Sequence, residues 1–153
     1  MGEPISWLAI EEIERRLLGV TGGDYYTDLT TGVITTNPAV ERKASQTLTL
    51  ISSTVFQEKP EASGRRTKIS DMDVLVEVTI PFDIEHNPAQ IAHRARSDVI
   101  RALSGGAIRT EAGIRSIEIT GSGIVIGADD AGPVVIAQVT ARAGLTESTT
   151  PAN

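Results

Sequence analysis

Residues 73–82 read Asp-Val-Leu-Val-Glu-Val-Thr-Ile-Pro-Phe, and this stretch decides the fold. Its apolar β-branched residues alternate with Asp73, Leu75, Glu77 and Thr79; they are Val74, Val76, Val78 and Ile80. Because successive side chains of a strand point to opposite faces, the alternation predicts a strand with one apolar face. An apolar strand face has to be buried against another element. We therefore expect a helix to cover this strand.

A second strand is predicted just before it. Residues 47–56 are rich in β-branched side chains, whereas residues 57–70 are polar and contain Pro60 and Gly64. The two strands are expected to form a long hairpin with an oversized tip at residues 57–70. The tip cannot bury enough apolar area to offset the entropy of ordering, so we expect it to order only against a partner.

Two amphipathic helices are predicted from apolar residues at spacings of three and four. The first helix is predicted at residues 4–18, where Pro4 starts it and Gly19 stops it. Residues 88–103 form the second helix, with an apolar stripe made of Ile91, Ala95, Val99, Ala102 and Leu103. We expect this stripe to pack on the apolar face of the 73–82 strand.

Charged residues on both helices are interpreted as solvated faces. In the first helix Glu12 precedes Arg16 by four residues, the favourable order for a weak surface pair. In the second helix Arg94, Asp98 and Arg101 fall on one face, which is more typical of an intrahelical charge ladder than of a partner contact.

The remaining pattern completes an α+β domain. Extended runs are predicted at residues 26–29, 33–35, 114–120, 123–126 and 134–143, separated by Gly, Asp and Pro turns. Residues 1–144 are therefore expected to form a single domain, a mainly antiparallel β-sheet with two principal helices packed on it. Residues 145–153 are expected to be a flexible C-terminal tail.

Composition disfavours several function classes. The net charge of −6 opposes general affinity for nucleic acid, which needs surplus Lys and Arg. The chain has no cysteine, so disulfides and cysteine-based zinc sites are excluded. The first 20 residues lack the apolar stretch of a signal peptide or membrane span, so we expect a soluble protein without a membrane partner.

Residues that could carry chemistry form only weak patterns. His86 and His93 are seven residues apart and do not have the spacing of a metal pair. Asp71 and Asp73 would share one side of a strand and could hold Mg²⁺, although a solvated strand start is the commoner arrangement. The glycines at 121, 123 and 127 do not match a dinucleotide-binding motif and are interpreted as turn residues. We expect no catalytic, cofactor or metal site.

Several local patterns, covering roughly the first 145 residues, resemble the tail-terminator, or tail-completion, proteins of long-tailed phages. They are Tyr25-Tyr26-Thr27-Asp28-Leu29 followed by Gly32-Val33, Asn37-Pro38-Ala39-Val40-Glu41, Val76-Glu77-Val78 before Pro81, the helix from His93 to Leu103, and the strand from Val134 to Ala141. The resemblance implies a non-enzymatic structural protein of the virion, assembled in the host cytoplasm. It implies a homohexameric ring that caps the tail tube, stops its polymerisation and joins the head-completion protein of the neck, while DNA passes through the lumen without specific binding.

One departure from the resemblance is the basic tract at residues 65–68, which marks the hairpin tip as a candidate interface loop. The residues assigned to this loop are Gln57, Glu58, Lys59, Pro60, Arg65, Arg66 and Lys68. Two alternatives stay open. One is a head-completion or head-tail adaptor protein of the same neck, and the other is a small metal-dependent enzyme using Asp71, Asp73 and His86.

Overall fold

Two helices and five strands make up the part of the chain that this computed structural model describes, namely residues 3–58, 67–105 and 113–148. The helices are α1 (Ile5–Leu18) and α2 (Pro88–Ser104). The strands are β1 (Val33–Thr35), β2 (Leu48–Glu58), β3 (Thr67–Pro81), β4 (Ile114–Asp129) and β5 (Gly132–Ser148), with a 3₁₀ turn at Leu29–Thr31. The predicted α+β class is confirmed.

The strands form one sheet in the order β1-β2-β3-β5-β4. All neighbouring strands are antiparallel except β1 and β2, which are parallel. In the centre of the sheet, Val76 of β3 lies between Ile51 of β2 and Val139 of β5. The prediction of a mainly antiparallel sheet is therefore confirmed, and β3 is its middle strand.

A single hydrophobic cluster joins both helices to one face of the sheet. Val74, Val76 and Val78 of β3 are at most 1% exposed, and they share this cluster with Ala95 and Val99 of α2. The predicted packing of the β3 face on the α2 stripe is thus confirmed for these residues. At the edge of this contact, residues 80 and 91 are only half-buried. The opposite face carries the other side chains of β3 and β5, among them Leu75, Glu77 and Gln138, and no described helix covers it.

Buried polar contacts join α1 to the end of α2. The Arg16 guanidinium donates a hydrogen bond to the carbonyl oxygen of Leu103, and its Nε lies 3.1 Å from Glu12 Oε1. A hydrogen bond from Arg15, at 2.6 Å, holds the pKa of Glu12 below its ordinary value. The predicted solvated face is wrong for Glu12 and Arg16, which are 5% and 8% exposed. The last carbonyls of a helix lack intrahelical donors, and Arg16 supplies one to α2.

The first hairpin has a smaller tip than predicted. Its strands continue to Glu58 and restart at Thr67, and Gln57 pairs with Asp71 across the hairpin. The prediction of disorder in the free subunit is therefore wrong for residues 57, 58 and 67–70, which lie in strands of the single chain. A polar stretch can extend a ladder because backbone hydrogen bonds do not depend on apolar side chains.

The last part of the chain also differs from the expectation. Residues 114–126 were predicted to form two strands, but β4 is continuous and its glycines at 121, 123 and 127 lie within it. The expected flexible tail at 145–153 is wrong for residues 145–148, which belong to β5, and Leu145 is fully buried. Residues 149–153 lie outside the described residues. In the described ranges, no helix has the length and apolarity needed to cross a bilayer.

Val76→Asp is expected to unfold the domain, because Val76 is fully buried and an unpaired carboxylate there costs on the order of 4 kcal/mol. Urea unfolding followed by circular dichroism measures this change. Val76→Ala is the matched control and should keep the fold at a cost of about 2 kcal/mol, since it removes only apolar atoms. Equal stability of Val76→Asp and the parent would show that this strand face is assigned wrongly.

Candidate interface sites

The loop at residues 36–47, which connects β1 to β2, lies at one end of the sheet. Its Arg42 reaches the turn between β4 and β5. Arg42 in this loop makes a bidentate contact with Asp129, with Nε–Oδ2 and Nη2–Oδ1 distances of 2.8 and 2.7 Å. Its Nη1 also donates to the carbonyl oxygens of Lys43, Ala44 and Gln46. The Arg42 side chain is only 3% exposed, so its hydrogen bonds stabilise the loop from the buried side.

The contact with Arg42 strongly perturbs Asp129. Hydrogen bonds from the guanidinium are the main cause that lowers the Asp129 pKa to about 2. Backbone N–H groups of Ala131 and Gly132 act in the same direction. Charge-assisted bidentate pairs of this kind fix geometry as well as charge. No sequence signal marked this pair, because its members are 87 residues apart and each looks like an ordinary loop charge.

The same end of the sheet is rich in exposed carboxylates. We call it the acidic end and define it by Glu41, Asp83, Glu85, Asp129 and Asp130. Three connections meet here, namely the 36–47 loop, the segment between β3 and α2, and the turn between β4 and β5. Ala44 and Ser45 line a depression together with Phe82 and His86, which brings the first two connections into contact.

His86 lies beside Asp83 of the acidic end. Its Nδ1 lies 2.7 Å from Asp83 Oδ1, and this hydrogen bond is the main cause that lowers the pKa of Asp83. Asp71 and Asp73 lie within β3, about 26 to 33 Å from its end at Pro81 at about 3.3 Å per residue, and His86 lies beyond that end. Asp73 contacts Arg142 at 2.9 Å, and Asp71 lies 3.7 Å from Arg115. The metal site proposed from Asp71, Asp73 and His86 is therefore wrong, since its residues are not brought together.

A second site is formed where the segment before the 3₁₀ turn packs on α2. Asp98 is fully buried, and its Oδ2 accepts hydrogen bonds from the backbone N–H, at 2.7 Å, and the hydroxyl of Thr27. Its Oδ1 lies 3.8 Å from Arg101 Nη1. The interpretation of Asp98 as part of a solvated charge ladder is wrong, because Asp98 is buried and anchors Thr27 to the helix.

Two arginines of α2 extend this contact through aromatic rings. The Arg101 guanidinium lies 4.7 Å from the ring centroid of Tyr25 and donates to the carbonyl oxygen of Asp24 at 3.0 Å. Arg94 lies 5.2 Å from the ring centroid of Tyr26, whose side chain is exposed. Cation–π contacts at such distances add modest stabilisation at exposed sites. We call Tyr25, Tyr26 and Thr27 with Arg94, Asp98 and Arg101 the α2 clamp.

The predicted interface loop is only partly described. Gln57 and Glu58 end β2, and Lys68 is an exposed residue of β3 that pairs in register with Glu147. The structure thus places these three residues in the sheet and not in a loop. Lys59, Pro60, Arg65 and Arg66 lie outside the described residues. The sheet places this hairpin at the end opposite to the acidic end.

Among the residues of ranges 3–58, 67–105 and 113–148, no group of three or more His, Asp or Glu side chains is arranged to hold a metal ion. His93 is an exposed residue of α2. No protein-family model matches this sequence. No curated protein matches it either.

Asp129 is expected to titrate with a pKa of about 2, against an ordinary value of 3.8. A carboxyl-detected NMR titration measures it, and Arg42→Gln should move the value toward 3.8. Because the folded-state pKa is the lower one, this pair stabilises the fold above about pH 3.8 and the contribution is lost as pH falls toward 2. Asp83 is the internal control and should keep its own pKa in Arg42→Gln. An unchanged Asp129 pKa in that variant would contradict the assigned cause.

Asp98→Ala is expected to lower the free energy of unfolding by about 2 kcal/mol, because it leaves the Thr27 N–H without its acceptor. The amide hydrogen of Thr27 should exchange with deuterium faster than in the parent. The amides of β3 should keep the same ranking of exchange rates as in the parent. Asp130→Ala, which changes an exposed carboxylate outside the α2 clamp, should leave both measurements near the parent values. Slow exchange at Thr27 in Asp98→Ala would rule out the anchoring role.

Proposed function

We propose that this protein is the tail terminator of a long-tailed phage, a homohexameric ring that caps the tail tube, stops its polymerisation and forms the joint to the head-completion protein. The observation that carries the proposal is the polarity of the sheet. The acidic end gathers the carboxylates of three connections, and β2 ends and β3 begins at the opposite end.

A terminator needs this polarity because its ring contacts different proteins on its two faces. One face has to pair with the growing end of the tube, and the other must not reproduce that end. Identical subunits related by rotation about one axis keep their two ends on different faces of the ring. In this protein the acidic end and the hairpin end would form those two faces.

The charge of the chain suits a ring that surrounds DNA. With a net charge of −6, a lumen lined by this protein repels phosphate and lets DNA slide through without being bound. The exposed carboxylates Glu41, Asp83 and Glu85 also offer a surface on which a basic patch of a neighbouring neck or tube protein can dock.

The first motif of the resemblance, residues 25–29, is held in place by contacts within the fold. Tyr25, Tyr26 and Thr27 belong to the α2 clamp, and Asp28 accepts a hydrogen bond from the N–H of Thr30 at 2.9 Å at the start of the 3₁₀ turn. These contacts hold the segment that leads into β1 at the edge of the sheet. This supports a structural role for the motif in presenting a subunit edge.

Deleting the gene from its phage is expected to give overlong tails, because nothing then stops tube growth, and electron microscopy of lysates measures tail length. The parent gene supplied in trans should restore the normal length, and Val76→Asp is the matched control that should fail to do so. Tails of normal length on complete particles would overturn the proposal. Normal-length tails without heads would overturn it in favour of the head-completion role.

A further inference from the structure

Residues 121–128 at the outer edge of β4 lack the charges, prolines and β-bulges that keep sheet edges from pairing, since the two register shifts of β4 lie before them, at Ile114/Ser116 and Ile119/Gly121. Within the described ranges β4 pairs only with β5, so one row of its backbone N–H and C=O groups has no strand partner. Natural edge strands are usually short, or they carry charges or proline. Residues 120–128 read Thr-Gly-Ser-Gly-Ile-Val-Ile-Gly-Ala, which is nine residues without a charge or a proline.

Two large apolar residues of this segment are exposed. Val125 and Ile126 are 47% and 50% exposed, and they are adjacent in the strand, so their side chains lie on opposite faces of the sheet at its margin. Both faces of the edge are therefore apolar at this point. A strand added along β4 would remove apolar surface from water on both faces.

Two of the three glycines of the segment are not explained by the subunit itself, whereas a Cβ at Gly121 would meet Thr140 Oγ1 at 2.9 Å. Gly123 and Gly127 have no positive φ, and a Cβ at either position would meet no atom within 4 Å. Neither backbone conformation nor internal packing therefore requires glycine at these positions. Glycine weakens a strand and often marks a place where another backbone comes close.

We propose that the edge of β4 at residues 120–128 is the contact between copies of this chain, and that an edge strand of a second copy continues the sheet there. Charge favours a second copy as the occupant. Identical chains with a net charge of −6 repel one another, so they approach best through uncharged surfaces. The other edge of the same sheet is β1, where residues 30–37 also carry no charge. The two edges are different surfaces, and pairing between different surfaces repeats around an axis.

The inference names the contact that the proposed ring requires, and to that extent it rests on the proposed function. It can nevertheless fail separately. A ring assembled through another surface would leave the terminator role intact, and a β4 contact in a protein without effect on tail length would leave this inference intact.

The test is the double substitution Val125→Lys and Ile126→Lys, which places charge on both sides of the edge. Both positions are exposed, so the free subunit should melt like the parent. Analytical ultracentrifugation over a range of concentrations should give multiples of the chain mass for the parent and only 16.2 kDa for the variant. Ile84→Lys is the matched control, because Ile84 is a fully exposed apolar residue outside the edge, and it should assemble like the parent.

Hydrogen exchange identifies the mode of contact. In the parent, amides within residues 120–128 should become protected as concentration rises, and in the double variant they should exchange fast at every concentration. A monomeric parent at all concentrations, an assembled double variant, or dissociation of Ile84→Lys as well would overturn the proposal. Concentration-dependent protection confined to other segments would also overturn it.

Discussion

Burial of alternate side chains of β3 is the constraint on which the rest of the structure depends. Val74, Val76 and Val78 form the middle of the only large apolar cluster in the described residues, and β3 pairs along its full length with β5. From Ser70 to Thr79 this strand also pairs with β2, so its position is held by neighbours on both sides as well as by the helices above it. The strands outside β3 are added to this centre.

Placing both helices on one face leaves the other surfaces of the sheet for different tasks. The edge of β4 keeps unpaired backbone groups, and all connections at one end come together as the acidic end. Arg42 makes that end a defined surface, because one buried guanidinium binds three carbonyl oxygens and the Asp129 carboxylate. The proposed assembly role would depend on such surfaces, since function resides in sites carried by a fold and not in its core.

Charged residues in this fold serve two kinds of role that are alike in sequence. Asp98 and Arg16 are buried and satisfy backbone groups of neighbouring segments, whereas Arg94 on α2 stays exposed. In each case the helix position alone suggested a solvated face. Asp98 is separated from its partner Thr27 by 71 residues, and a helical face is known to be buried only when the element that covers it is known.

The amino-acid sequence by itself determined the elements whose signal is local. The alternation in residues 73–82 predicted β3, the spacing of three and four predicted α1 and α2, and the turn residues predicted the antiparallel order, because each of these patterns reflects the geometry of one short segment. Only the tertiary structure decided that residues 120–123 continue one strand, that Leu145 is buried, and that Arg42 meets Asp129. These outcomes depend on partners far apart in the chain, and no local pattern records the free energy that such long-range contacts contribute.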